Sequence, residues 1–261
     1  MLLIHGGRDH CRNWDWVAEA FRDQYHIIAP DLRGHGDSQW MVGGTYNIND
    51  YTYDIAQLLH QTKLTPVTII GHSLGGNIAL RYTGLFPETV KKVVAIEGLG
   101  LSPAMMKQTA ADSNAHRVRN WIGELRAASG RLPRRYKSVE EAFERMRTEN
   151  PHLSPDKARH LTVHGVNQNE DGSYSWKFDN YVRIFAPRAP ENEELQELWS
   201  AISCPTLLFR GTESWASNPL EDGRANFFQN VQVANIEGAG HWVHHDKLDE
   251  FLRITKEFLK G

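Results

Sequence analysis

A chain of 261 residues, 40% of them apolar, is long enough for one large domain, or one domain carrying an insertion, around a sizeable core. Its 29 basic and 32 acidic side chains leave a net charge of −3, which argues against a nucleic-acid partner or an anionic membrane surface. The two cysteines, Cys11 and Cys204, lie far apart and suggest no disulfide framework. No apolar run reaches the ~18 residues of a membrane span, and the start, Met1-Leu2-Leu3-Ile4-His5, lacks the features of a signal peptide, so a reducing, cytoplasmic setting is expected.

In chain order, residues 1–4 read as a strand already in progress, followed by His5-Gly6-Gly7-Arg8. A loop with Asn13 as its cap leads to a helix over 14–23, then a strand over 25–29 and a tight glycine-rich loop from Pro30 to Ser38. Residues 39–47 form a polar, glycine-containing loop. Asn49 or Asp50 caps a helix that runs to about residue 61, with Ile55, Leu58 and Leu59 on one face. An apolar, β-branched run over 67–70 reads as a buried parallel strand. Gly71, Ser73 and Gly75 follow as Gly-x-Ser-x-Gly, and an apolar-periodic helix starts at about Leu74. Strand before and helix after make this the context of a nucleophile elbow, a turn so sharp that the serine backbone is strained and its neighbours two residues away must be nearly free of side chain. Residues 92–97 form another buried strand. Strands alternating with helices predict an α/β fold, a mostly parallel sheet covered by helices on both faces.

From about residue 98 the strand rhythm stops. The stretch is polar and charged, with helical segments over 103–128, 139–148, 156–163 and 191–200, prolines at 133, 151, 155, 187 and 190, and a turn at Asp171-Gly172-Ser173. Residues 99–203 are expected to form a helical cap lying over Ser73, inserted into a core made of residues 1–98 and 204–261. The core resumes with a strand over 205–210, a helix over 219–228, a strand over 231–236 and an amphipathic helix over 248–259. The thirteen histidines do not cluster at metal-ligand spacings, and neither a metal nor a cofactor is expected.

Taken together, His5-Gly6-Gly7, the loop from Asp31 to Ser38, Gly71-His72-Ser73-Leu74-Gly75-Gly76 and Gly238-Ala239-Gly240-His241-Trp242 stand in an order that resembles the α/β-hydrolases, and in particular their capped esterase, epoxide-hydrolase and dehalogenase-like branch. The resemblance spans nearly the whole chain and is specific to the superfamily, not to one substrate. Relatives usually carry two strands, roughly 20–30 residues, before the His-Gly loop. Their apparent absence predicts either an upstream start or a shortened sheet, with the strand at 25–29 left as an exposed edge open to aggregation or a homodimer.

Ser73 alone is a poor nucleophile and needs a base within hydrogen-bond reach. His241, after a strand and a Gly-Ala-Gly loop, is the candidate. His244 and His245 are read as surface residues at the start of the last helix, and His5 and His72 as buttresses of the loop and the elbow. The acid is less direct. Many relatives place an Asp three residues after a glycine at the end of the strand over 207–210; counted from Gly211 that slot holds Ser214. Glu97 ends the strand after the elbow strand, where a carboxylate without a partner would be costly, and is the leading candidate. Glu213 and Asp222 are the alternatives. The resemblance implies an oxyanion hole from the N–H of Leu74 and from the loop at Gly7 or Arg8.

A serine at the elbow, where epoxide hydrolases and dehalogenases need an aspartate, implies acyl transfer. The expected activity is hydrolysis of a carboxylic ester or thioester of a small to medium apolar molecule through an acyl-enzyme. A carbon–carbon bond hydrolase or lactonase shares this apparatus, and a ligand receptor on a hydrolase scaffold is the competitor from another class. Arg8 and Trp176 are candidates for contact with substrate, and Trp121, Phe178 and Tyr181 for either an apolar pocket or cap packing.

Overall fold

The computed structural model describes residues 1–42, 45–185, 187 and 192–261. Gly43 and Gly44 of the expected loop, Pro190, and Glu191 at the expected start of a helix lie outside the described residues. Among those described, the elements run β1 (Leu2–Ile4), α1 (Asp15–Phe21), α2 (Ile48–Thr62), β2 (Val67–His72), α3 (Leu74–Leu85), β3 (Val90–Ile96), α4 (Pro103–Ala111), α5 (Asn114–Ser129), α6 (Val139–Glu149), α7 (Pro155–Gly165), β4 (Val166–Gln168), β5 (Tyr174–Trp176), α8 (Asn192–Ala201), β6 (Thr206–Gly211), β7 (Val231–Ile236), α9 (Val243–Asp246) and α10 (Leu248–Lys260).

Five strands make one parallel sheet in the order β1-β2-β3-β6-β7. One row across it runs Leu2, Ile69, Val93, Thr206, Val231. Alternation along each strand sends Ile69, Val93 and Leu208 to one face, where they pack with Tyr51 and Ile55 of α2, Ile78 and Leu80 of α3 and Trp199 of α8. Ile70, Val94 and Leu207 go to the other face and meet Val17 and Phe21 of α1 and Phe251 and Phe258 of α10. Both faces are covered, which is why the strands read as unbroken apolar runs in the sequence. β3 and β6 are sequence-distant neighbours, and everything between them, α4 to α8 with the β4–β5 hairpin, is inserted at that edge-to-edge step.

The inserted helices begin on serines. Ser102, Ser113, Ser138 and Ser154 each accept a hydrogen bond from the backbone N–H three residues on, and Pro103 and Pro155 occupy the first helical position. The helix expected over 103–128 is therefore two helices, because Asp112 is extended and Ser113 caps a new start. The antiparallel β4–β5 hairpin was not expected, its strands being three residues each. α8 packs back on the core: Leu195 and Trp199 are buried with Leu80 and Tyr82.

Other expectations need correction. Asn13 does not cap α1; it sits buried in a 3-10 turn, Cys11–Trp14, and α1 is capped by no side chain. α2 is capped by Asn47, whose side chain accepts from the Asp50 N–H. Residues 25–29 form a single parallel bridge at Ile28, its N–H donating to Met1 O and its carbonyl accepting from Leu3 N–H, so this stretch is a fringe on β1. The helix expected over 219–228 is only a 3-10 turn, Arg224–Phe227. Among the described residues no helix is long and apolar enough to cross a membrane.

Candidate functional site

Ser73 stands between β2 and α3 at φ 51°, ψ −115°, a strained conformation for a residue with a Cβ. Two contacts hold it there. Its N–H donates to Ile96 O at 2.8 Å. The glycines around it let backbones meet: a Cβ on Gly75 would lie 2.1 Å from Ile4 O, and one on Gly71 would lie 2.4 Å from Gly75 O. The turn thus docks α3 directly on the ends of β1 and β2, and leaves Ser73 half-exposed at the positive end of α3, with Leu74 as that helix's first residue.

Glu97 follows β3 in the same positive-φ geometry, at φ 53°. Its side chain is wholly buried, and three groups surround the carboxylate. Oε1 accepts from Gly211 N–H at 2.8 Å, Oε2 accepts from the Ser214 hydroxyl at 2.7 Å, and His241 Nδ1 lies 3.3 Å from Oε2. A buried carboxylate tolerates burial only with such partners. With Nδ1 turned to a carboxylate, the imidazole carries its proton there and leaves Nε2 as the free base. The backbone of His241 is anchored in turn: His72 Nε2 donates to His241 O at 2.9 Å, and Gly240 N–H donates to Asp246 Oδ2 at 2.9 Å. The Trp215 ring lies against the His241 ring, centroids 5.4 Å apart.

Of the other two carboxylates considered, Glu213 points to His152, 3.8 Å away, and Asp222 is held by Arg224 and Ser217. His5 and His72 are fully buried, as buttresses should be. His5 accepts from Leu32 N–H at Nε2 and donates from Nδ1 to Gly6 O, and burial pushes both rings well below their ordinary value. His244 and His245 depart from expectation. They are not surface residues but are 0% and 2% exposed, stacked on Trp14 and edge-on to Trp16 respectively.

Ser73, Glu97 and His241 line one cavity of about 2290 Å³, together with Gly7, Leu74 and Arg8. Trp121, Trp176 and Phe178 line it too, while Tyr181 packs against the core. Trp176 is fixed by an Nε1–H bond to Tyr136 Oη at 3.0 Å. Sequence reasoning missed Ser214 and Trp215 as neighbours of Glu97 and His241. The signal for Ser214 was present: it occupies the slot where a carboxylate was sought. Outside the cavity, Asp15, His160 and His164 bring one ligand-type atom each within 4.8 Å of one another.

A family model described as alpha/beta hydrolase fold matches residues 1–248. The chain is 29% identical to a serine hydrolase-like protein of Danio rerio, covering 100% of this chain and 81% of that protein. It is 24% identical to an esterase of Mycobacterium tuberculosis, covering 99% of this chain and 82% of the esterase. The solved structure of E-2-(acetamidomethylene)succinate hydrolase superposes with a TM-score of 0.80 at 21% identity, covering 100% of this chain and 91% of that one. With 248 matched residues and the same strand–elbow–helix architecture, the chain belongs to the alpha/beta hydrolase fold family.

Proposed function

We propose that the protein is a serine hydrolase that cleaves a carboxylic ester or thioester through an acyl-enzyme on Ser73. The observation that carries this reading is the buried Glu97 carboxylate 3.3 Å from His241 Nδ1, at the wall of the cavity that Ser73 also lines. In the proposed sequence His241 Nε2 takes the proton of the Ser73 hydroxyl as its oxygen attacks the carbonyl. Glu97 stabilises the imidazolium, and the N–H groups of Leu74 and of the Gly7 loop receive the oxyanion. His241 returns the proton to the leaving group, then activates water against the acyl-enzyme. Residues 99–203 act as the cap, and Arg8 and Trp176 touch substrate. The names of the sequence relatives, an esterase and a serine hydrolase-like protein, agree with ester chemistry.

The test is a panel of p-nitrophenyl esters of increasing acyl length, run on the wild type and on Ser73→Ala. Burst release of nitrophenol followed by steady turnover, lost in the variant, supports the reading. Equal turnover in both overturns it, and saturable binding of ester without turnover in the wild type moves the protein to the receptor class.

A further inference from the structure

We propose that Asp15, His160 and His164 form a binding site for a divalent transition-metal ion of the Zn2+ type, at the seam between α1 and α7 and outside the catalytic cavity. His160 and His164 are four residues apart, so α7 stacks them on one face a turn apart, with ring centroids at 4.5 Å. Asp15, the first residue of α1, reaches the same point: its Oδ2 lies 3.1 Å from His160 Nε2. One donor atom from each of the three lies within 4.8 Å of the others. Tetrahedral zinc with bonds of about 2.0–2.1 Å sets its ligands roughly 3.4 Å apart, so small side-chain rotations close the present spacing onto an ion. Two imidazoles and one carboxylate suit zinc, nickel or copper, and not the all-oxygen preference of magnesium or calcium.

The surroundings support a cation at this point. Arg12 already places one there: its Nε and Nη2 bond Asp15, and its Nη1 lies 3.4 Å from His164 Nδ1. That contact makes Nδ1 the acceptor, a neutral imidazole nitrogen with its lone pair turned to the positive group. The Arg12 side chain is half-exposed and can swing into water when an ion arrives. Lys177, a further cation near His164, is already engaged by Asp37 at 2.9 Å. The Trp16 ring against His160, at 4.5 Å, limits where that imidazole can turn.

None of the three ligands lines the catalytic cavity. The ion would therefore act on the fold and not on the reacting bond. It would tie α7, which belongs to the segment inserted between β3 and β6, to α1 beneath the sheet. This inference stands whether or not Ser73 acts as proposed.

The test is titration of the tag-free full chain with ZnCl2 by calorimetry, with thermal unfolding recorded at each ratio. The wild type is expected to bind one Zn2+ and to melt higher with it, and to show no such response to MgCl2. His160→Gln and His164→Gln should each weaken binding by at least about tenfold, and Arg12→Met should tighten it by removing the competing cation. His116→Gln, at an exposed histidine in the first turn of α5, should bind as the wild type does. Saturable binding that survives both ligand substitutions together, or that is lost equally in His116→Gln, or no saturable binding at all, would overturn the site. So would weaker binding in Arg12→Met, with circular dichroism confirming that each variant is folded.

Discussion

Glu97 accepts a backbone N–H, a serine hydroxyl and, at longer range, an imidazole, and it does so with no exposure to water. Removing its charge while keeping its shape isolates what the charge does. Glu97→Gln is expected to lower kcat by about 10³- to 10⁴-fold, the loss found when a triad acid is neutralised. Glu213→Gln should leave most activity, because that side chain faces His152. The reverse ranking in ester turnover would move the acid to the loop after β6. Ser214→Ala deletes one donor to Glu97 and should cost about 1–1.5 kcal/mol, roughly tenfold in kcat/KM, with the protein still folded. Ser214 also shows how far the site was legible. The Gly-x-Ser-x-Gly spacing, the strand end at Glu97 and the Gly-Ala-Gly-His loop could be read from the sequence because each is a local pattern. That the serine in the acid's usual slot turns to serve a carboxylate on another strand could not, since it depends on β3 and β6 lying side by side.

At the scale of elements, the elbow is the tightest junction in the fold. Gly75 sits where α3 touches the ends of β1, and a methyl there would overlap Ile4 O and His5 O. Backbone cannot yield as a flexible side chain can. Gly75→Ala is expected to destabilise by about 3 kcal/mol and to lower activity further by tilting Ser73, measured by urea unfolding beside ester turnover. Wild-type stability in that variant would mean that α3 can move away without loss. Two elements that the sequence misread have different causes. Around 219–228 the side chains of Ser217, Asn218 and Asp222 hydrogen-bond locally, and Gly223 takes φ 83°, so local turns replace a helix. The β4–β5 hairpin is too short for period-two alternation to register. The strands of the sheet were easy to read because both of their faces are buried.

Across the whole molecule, the distinctive feature is a set of neutral histidines in the interior. His5, His10, His72, His244 and His245 are all buried, and burial lowers the pKa of each from its ordinary 6.5, to about 4 for His10 and about 3 for His245. The unfolded chain therefore takes up protons near pH 6.5 that the folded chain refuses. Their contribution to stability is whole above that pH and is lost as pH falls through it toward the folded values, at about 1.4 kcal/mol per pH unit for each group. Asp9 acts in the opposite sense. Burial raises it to about 7, so its contribution is whole below its ordinary value of 3.8 and is lost as pH rises through 7. Between pH 6.5 and 4 the histidines outnumber it, and stability should fall steeply with acid. Both ring nitrogens of His245 lack a hydrogen-bond partner among the described residues, so His245→Phe should keep the fold and reduce that slope by about one proton's worth. Urea melts at pH 7, 6 and 5 measure it; an unchanged slope would contradict the assignment.

The proposed chemistry requires this fold to present one serine, Ser73, as a covalent nucleophile. Intact mass spectrometry after brief exposure to a fluorophosphonate ester, followed by peptide mapping, tests it most directly. A single phosphonyl adduct is expected on Ser73 in the wild type, with no adduct in Ser73→Ala and labelling slowed by at least about a hundredfold in Glu97→Gln. An adduct on another residue, or an unlabelled wild type that still turns over esters, would contradict it.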